Sequence, residues 1–180
     1  LLFKSKWNFA QGGILLTHLG VLLLLLGGWV TALTSEEGYL TLTEGEQGRV
    51  VADYHQRDLV VFEGDFAVRE IPFETLKTGQ QVPLSGLPFA LQVKDSCRNC
   101  MPQMREEADE RTKGIAEKLS LKSIELDKND EANLTGLTLE LSGVSDVANG
   151  EYILFEAMPR PIEFEMAGKS YKIFLQKSQR

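Results

Sequence analysis

An uninterrupted apolar segment, residues 14–34, constrains this chain more than any other feature of its sequence. The segment contains no charged side chain unless His18 is protonated. About 20 helical residues, each rising 1.5 Å, cross a hydrocarbon core of about 30 Å. A helix of this length packed on a soluble core would have a polar face, and this segment has none. We therefore predict a transmembrane helix over residues 14–34.

The flanks of this segment bear on how it is used. Lys4 and Lys6 precede it, as they would precede a cleaved signal peptide, which is the alternative interpretation. The segment exceeds an ordinary signal core, no clean Ala-x-Ala site follows, and Trp29 suits an interfacial anchor. The positive-inside rule places residues 1–13 on the cytoplasmic side. Residues 35–180 are then extracytoplasmic, outside an inner (cytoplasmic) or thylakoid membrane.

Length and charge limit the class of protein. The 180 residues suffice for one ordinary domain, and the opening Leu1 in place of an initiator Met predicts a fragment with more membrane sequence upstream. The formal net charge is -7, from 26 acidic and 19 basic side chains. Such a surface repels phosphate backbones, so we expect no nucleic-acid partner.

Beyond residue 35 the hydrophobic period changes from helical to two, which is typical of half-buried strands. Turn sequences separate the alternating runs, for example at residues 63–65, 148–150 and 167–169. Short strands with tight turns predict an antiparallel β sandwich or open barrel, not a βαβ fold. The predicted strands cover residues 39–43, 59–62, 66–71, 89–93, 137–141, 152–156, 162–166 and 171–175.

One stretch of the predicted β-rich domain does not alternate. Residues 101–118 include a run that is nearly all charged, residues 105–113. We interpret this stretch as an insertion that forms a solvated helix or a loop interrupting the sheet.

His18 is the first candidate functional residue. An ionisable side chain within a membrane helix is expensive and usually serves a purpose. Imidazole is a common axial ligand of haem iron, so haem ligation is one interpretation. A neutral histidine hydrogen-bonded to a neighbouring helix is the other. Nearby glycines allow close helix packing and suit both.

Cys97 and Cys100 form a C-x-x-C motif outside the membrane. Met101 follows where a c-type haem attachment site requires histidine, and two cysteines are too few for a structural zinc site. In an oxidising compartment the pair predicts a local disulfide that closes a tight turn. A dithiol that exchanges with other thiols is the alternative.

Three weaker signals remain. Met101 and Met104 have thioethers that can ligate haem or copper, although methionines more often fill gaps or lie at the surface. His55 lies in polar surroundings that favour a surface histidine over a second haem contact. Asn133 begins a glycosylation sequon, which arises easily by chance. We find no catalytic triad order, phosphate loop or paired-carboxylate motif.

Residues 17–28 (THLGVLLLLLGG) and 37–46 (EGYLTLTEGE) resemble the ResB family, also called CcsB, of cytochrome c biogenesis proteins. In that family a membrane helix opening with His-Leu leads into a Glu-Gly-aromatic segment closing in Glu-Gly-Glu. A β-rich extracytoplasmic domain follows, and further membrane helices lie on both sides.

The resemblance implies a role in assembling c-type cytochromes without an enzyme active site in this chain alone. Family members pair with a ResC (CcsA) type membrane protein, move haem outward and present it to apocytochrome c. The family's helix histidine matches His18, which implies that His18 is one axial ligand of a haem b. The alternative is a structural or electron-transfer anchor subunit of a larger respiratory or photosynthetic membrane complex.

Overall fold

The computed structural model describes residues 9–35, 38–40, 42, 44–45, 47–48, 51–107 and 109–179. The chain divides into two compact units, Leu1–Glu37 and Gly38–Arg180. The first contains a helix, and the second is built mainly from antiparallel strands. The prediction of one apolar helix followed by a mainly β domain is confirmed.

Helix α1 spans Phe9–Thr34. It is rich in leucine, which has a high helix propensity, and its apolar residues surround the axis without forming a stripe. The helix begins at Phe9, five residues before the predicted start at residue 14. Its first turns include Gln11 and the two glycines that precede the apolar segment. By length and composition residues 12–34 could cross a membrane. The apolar core of a signal sequence can satisfy the same two criteria. Lys4 and Lys6, which support the predicted orientation, lie outside the described residues.

The largest sheet of the second unit has the strand order β1-β2-β10-β9, and β3 also pairs with β2. All its pairings are antiparallel, and the longest joins β2 to β10. Its strands are β1 (Gly38–Tyr39), β2 (Ala52–Glu63), β3 (Phe66–Pro72), β9 (Ile162–Met166) and β10 (Lys169–Gln179).

Two smaller antiparallel sheets complete the unit, with orders β4-β7-β8 and β5-β6. Short 3-10 helices at Phe73–Thr75, Gly114–Glu117 and Asp130–Ala132 lie in the connections. The strands are β4 (Ala90–Cys97), β5 (Cys100–Met104), β6 (Leu119–Ser123), β7 (Gly136–Ser142) and β8 (Gly150–Phe155).

The β9–β10 hairpin shows how local sequence fixes register. Met166 pairs with Lys169, so the connection has two residues, Ala167 and Gly168, with φ of 51° and 76°. Two-residue hairpins favour positive φ at both central positions, because that twist matches the flanking strands. Gly168 adopts this conformation freely, whereas Ala167 does so at some steric cost.

The five- and three-stranded sheets contribute to one apolar core. Leu59, Val61 and Ile173 from the first sheet and Leu91 and Leu139 from the second are fully buried members of it. A second, smaller cluster contains both cysteines, and its buried members are Cys97, Cys100, Ala116, Ile153 and Phe155. The second cluster lies where β4 and β8 meet the β5–β6 hairpin.

The structure differs from the predicted insertion at residues 101–118. Met101–Met104 belong to strand β5, which pairs with β6, and the 3-10 helix Gly114–Glu117 lies just before β6. The described residues of the charged run, 105–107 and 109–113, lie in the connection between the paired strands β5 and β6, which agrees with the loop alternative for this part of the stretch. The predicted strand at 39–43 shortens to Gly38–Tyr39, with Thr41 and Thr43 outside the described residues.

Candidate functional site

His18 lies in the first half of α1 with its ring turned back along the helix. Its Nδ1 lies 2.7 Å from the carbonyl oxygen of Ile14, one turn earlier. A carbonyl can only accept, so this contact places the hydrogen on Nδ1, and in the tautomer with that hydrogen the lone pair is on Nε2. Metal-ligating histidines are oriented in this way, through the nitrogen that does not bind the metal. The same bond would also satisfy a histidine that binds nothing.

The threonines of α1 follow the same pattern. Thr17, Thr31 and Thr34 donate their hydroxyls to the carbonyls of Gly13, Gly27 and Val30 at 2.9, 3.0 and 2.9 Å. Each hydroxyl is thus satisfied by its own helix, four residues back. Such bonds matter most where no water is available, as in a lipid hydrocarbon core.

The donor chemistry of α1 fits one axial position of a haem. Imidazole nitrogens are common ligands of haem iron, and the Nε2 of His18 could supply one such nitrogen. The side chain of His18 is exposed on the helix. Across the residues that the structure describes, no three or more His, Cys, Asp and Glu side chains form a group able to hold a metal ion.

Cys97 and Cys100 form a disulfide that joins the end of β4 to the start of β5. The predicted disulfide is therefore confirmed. Only 5% of Cys97 and 3% of Cys100 is exposed. Both cysteines belong to the second core cluster, packed beside Leu121 and Leu134. An incoming thiolate must reach a sulfur to exchange with it, so this burial suits a structural bond.

Met101 and Met104 both lie on β5 with exposed side chains. Successive side chains of a strand point to opposite faces, so residues three apart face opposite ways. Within β5 the two thioethers therefore do not converge on one metal position.

His55 lies on β2 at a polar cleft, in agreement with its prediction as a surface residue. Its Nδ1 lies 2.7 Å from Oδ2 of Asp130, and each side chain is 54% exposed. The cleft is lined by His55, Arg57, Phe73, Glu74, Arg98, Asp130, Asn133 and Thr135. The hydrogen bond from His55 is the main reason that the pKa of Asp130 lies below its ordinary value.

Asn133, the sequon asparagine, is 8% exposed and engaged through both ends of its amide. Its Oδ1 accepts from the backbone of Asp127 at 2.8 Å, and its Nδ2 donates to the carbonyl of Asp127 at 3.1 Å. A glycan would replace one Nδ2 hydrogen at this buried side chain, so in the folded protein the amide serves the loop structure.

A second cluster of titratable side chains lies at the β2–β3 and β9–β10 turns. Glu63 accepts hydrogen bonds from Lys169 Nζ at 2.6 Å and from the Tyr171 hydroxyl at 3.1 Å. The bond to Lys169 is the main cause that lowers the pKa of Glu63, and the bond to Glu63 raises the pKa of Lys169. Burial raises the pKa of Tyr171.

Among the candidate residues, the structure brings together Cys97 with Cys100, and His55 with Asp130. His18 lies in the other unit of the chain. The pairing of His55 with Asp130 is not visible in the sequence, because 75 residues separate the two along the chain. The sequon had drawn attention to Asn133 for a different reason.

Neither a protein-family model, nor a curated protein, nor a solved structure matches the chain. The ResB resemblance thus rests on residues 17–28 and 37–46, several of which, including Glu37 and Glu46, lie outside the described residues.

Proposed function

We propose that this chain is a ResB-like component of c-type cytochrome assembly. In this role it helps to hold and export haem and presents the apocytochrome for haem attachment. The observation that carries the proposal is the geometry of His18, the one imidazole on an apolar helix long enough to span a membrane. Its partners would be a ResC (CcsA) type membrane protein, apocytochrome c and the surrounding lipid.

The proposal treats α1 as a membrane span in an inner or thylakoid membrane. Its large apolar side chains are exposed around the helix, for example Leu16 at 71% and Leu24 at 77%. Its threonine hydroxyls and the Nδ1 of His18 are satisfied by the helix backbone. Both properties suit a lipid environment, where unsatisfied polar groups cost several kcal/mol each. Residues 35–180 would then lie on the extracytoplasmic side.

His18 would contribute one axial bond to the iron. The bound haem would be the group that is exported and then attached to apocytochrome. The Nδ1 bond to Ile14 fixes the ring and directs Nε2 away from its own helix backbone, which reduces the conformational freedom that ligation must remove. The opposite axial ligand would come from the partner protein. No covalent chemistry is asked of this chain alone, so we do not propose that it is an enzyme by itself.

The β unit would guide the apocytochrome and limit access to the haem. Two sheets sharing one core suit a sandwich, a rigid scaffold of this kind. The buried disulfide supports an oxidising compartment for this unit, because disulfides persist outside the cytosol.

The second candidate is a structural or electron-transfer anchor subunit of a respiratory or photosynthetic complex. The bond between His18 Nδ1 and Ile14 is compatible with this role too, because it also satisfies a histidine that binds no metal. In that case α1 packs against other subunits, and His18 holds a b-type haem for electron transfer or holds nothing.

The test is an absorption spectrum of the full chain, purified in detergent with its native partners, in the oxidised and reduced states. We expect a b-type haem signal that falls at least several-fold in His18→Ala. The matched control is His55→Ala, which removes the other histidine of the chain and leaves the haem signal intact. Cytochrome c assembly in cells should fall with His18→Ala and not with the control.

Two results would count against the proposal. If no haem is present, or if the spectrum of His18→Ala equals that of the wild type, His18 is a packing residue. If haem is lost in His18→Ala while cytochrome c assembly continues, the anchor function is supported instead.

A further inference from the structure

The cover of the Cys97–Cys100 disulfide is not uniform around the bond. Leu121, Ile153 and Phe155 cover it from strands β6 and β8, whose backbones pair with their neighbours. Leu134 packs against the same cluster from an irregular connection, residues 124–135, which joins β6 to β7 and which we call the 124–135 loop. Ile115, Ala116 and Met158 join the cluster from other segments outside the strands. Local opening is easiest where ladder hydrogen bonds are absent, so this loop is a route by which the bond can become exposed.

Both ends of the 124–135 loop bond to the turn that the disulfide closes. At the first end, Ile124 N donates to Asn99 O at 3.0 Å, and Asn99 Nδ2 donates to Glu125 O at 2.8 Å. At the other end, Cys100 N donates to Leu134 O at 2.8 Å. Asn99 is itself only 6% exposed. The loop and the disulfide turn are thus one hydrogen-bonded assembly.

The middle of the loop is held from the opposite sheet. Asp130 accepts from His55 on β2, in a pair that is half exposed. Within the loop, Asn133 holds Asp127 through two hydrogen bonds. The carboxylate of Asp130 is also faced by Arg98 of the disulfide turn, which pairs with Glu74 at 3.5 Å across the cleft.

We propose that the 124–135 loop is a latch over the Cys97–Cys100 disulfide, and that the His55–Asp130 pair sets how often it opens. With the latch closed, no thiolate reaches either sulfur. When Asp130 separates from His55, the loop lifts, Leu134 leaves the disulfide, and an external dithiol gains access to it. The inference concerns the β unit alone and does not depend on haem binding by His18.

The chemistry is ordinary thiol–disulfide exchange with a dithiol as reductant. One thiolate of the dithiol attacks Sγ of Cys97 or Cys100, the S–S bond breaks, and the other cysteine leaves as a thiolate. The second thiolate of the dithiol then closes a cyclic disulfide and releases the remaining cysteine. Two electrons pass from the dithiol to the cysteines, and two protons are redistributed through water.

The test is the rate at which dithiothreitol reduces the disulfide in the intact chain, without denaturant. The chain has only these two cysteines, so maleimide labelling after quenching reports this bond alone. We expect Asp130→Ala and His55→Ala each to raise the rate about two- to fivefold, as befits an exposed pair. The double variant should be no faster than Asp130→Ala alone, which also loses the contact of Asp130 with Asn133 Nδ2 at 3.4 Å. Asn133→Ala should raise the rate roughly tenfold or more, because its bonds are buried.

The matched control is Glu163→Gln, which weakens another exposed ion pair, Glu163–Lys172, on β9 and β10. If the loop acts as a latch, the disulfide of this variant should be reduced at the wild-type rate. Measuring the reduction rates again in low urea distinguishes loop opening from global unfolding. The rate of loop opening depends on urea far less steeply, because it exposes less surface. The proposal is overturned if Asp130→Ala matches the control, if the pair variants add independently, or if their faster reduction has the urea dependence of global unfolding.

Discussion

The two units of the chain use the same residue type in opposite ways. In α1, leucines stand outward, with Leu16 and Leu24 more than two-thirds exposed, whereas Leu59 and Leu139 of the β unit are completely buried. The polar groups of the two units also have different partners. The threonines of α1 bond to their own backbone, while the charges of the β unit pair at its surface, as Glu63 does with Lys169. The two units therefore present different surfaces, since α1 exposes apolar side chains and the β unit buries them.

The largest expected effect comes from the β core. Leu139→Ala should destabilise the β unit by about 2–5 kcal/mol, because it removes a fully buried side chain and leaves a cavity. Chemical unfolding of the full chain in detergent, followed by circular dichroism, measures the loss. Leu24→Ala in α1 is the matched substitution and should change that transition by less than about 0.5 kcal/mol. Equal losses from both would show that the units do not differ as described.

The reciprocal change tests the helix. Leu24→Arg places a charge near the middle of the proposed span and should oppose insertion by about 2.5–3.5 kcal/mol. The fraction of chain that remains with membranes after alkaline extraction should fall, while the unfolding midpoint of the β unit stays the same. Leu139→Ala should give the opposite result in both assays. Full retention of Leu24→Arg in the membrane would argue that α1 does not span it.

The smallest effect concerns the surface pair Glu63–Lys169, and it depends on pH. The pKa of Glu63 is lowered on folding, so its stabilisation is complete above the ordinary value of 4.5 and is lost as pH falls through the lowered pKa. The pKa of Lys169 is raised, so its share is complete below the ordinary 10.5 and is lost as pH rises through the raised pKa.

The difference in free energy of unfolding between wild type and Glu63→Gln, which we call the stability gap, should therefore be constant between pH 4.5 and 10.5. It should shrink at acid pH. Unfolding midpoints measured over a pH series in high and low salt give the gap. A gap that widens on acidification would contradict the lowered pKa of Glu63.

Much of the β unit could be predicted, because its strands are half buried and alternate visibly in the sequence. Strands β5 and β6 were missed for a physical reason. After Cys100, every residue of β5 is exposed, and Pro102 lies within it, so no alternation marks the strand. The pairing of β5 with β6 depends on tertiary contacts around the disulfide, which hydrophobic periodicity does not report.

The candidate site residues divide in the same way. His18 and the cysteine pair stand out from sequence alone, because a polar residue in an apolar run and a C-x-x-C spacing are local patterns. The partner of His55 could not be found, since Asp130 comes from a distant connection and its residue type is common. The bond from His18 to Ile14 was equally hidden, because it depends on the rotamer of the ring.

The pairing of β2 with β10 has a consequence for how the chain is made. Tyr171 meets Glu63 across 108 residues of sequence. At typical synthesis rates of 5–20 residues per second, β2 waits roughly 5–20 seconds for its central neighbour. During this delay β2 has its hairpin partner β3 along one edge, and the edge that later pairs with β10 stays open. Sheet closure therefore follows the emergence of residues 169–179, and the nascent unit depends on whatever guards that open edge until then.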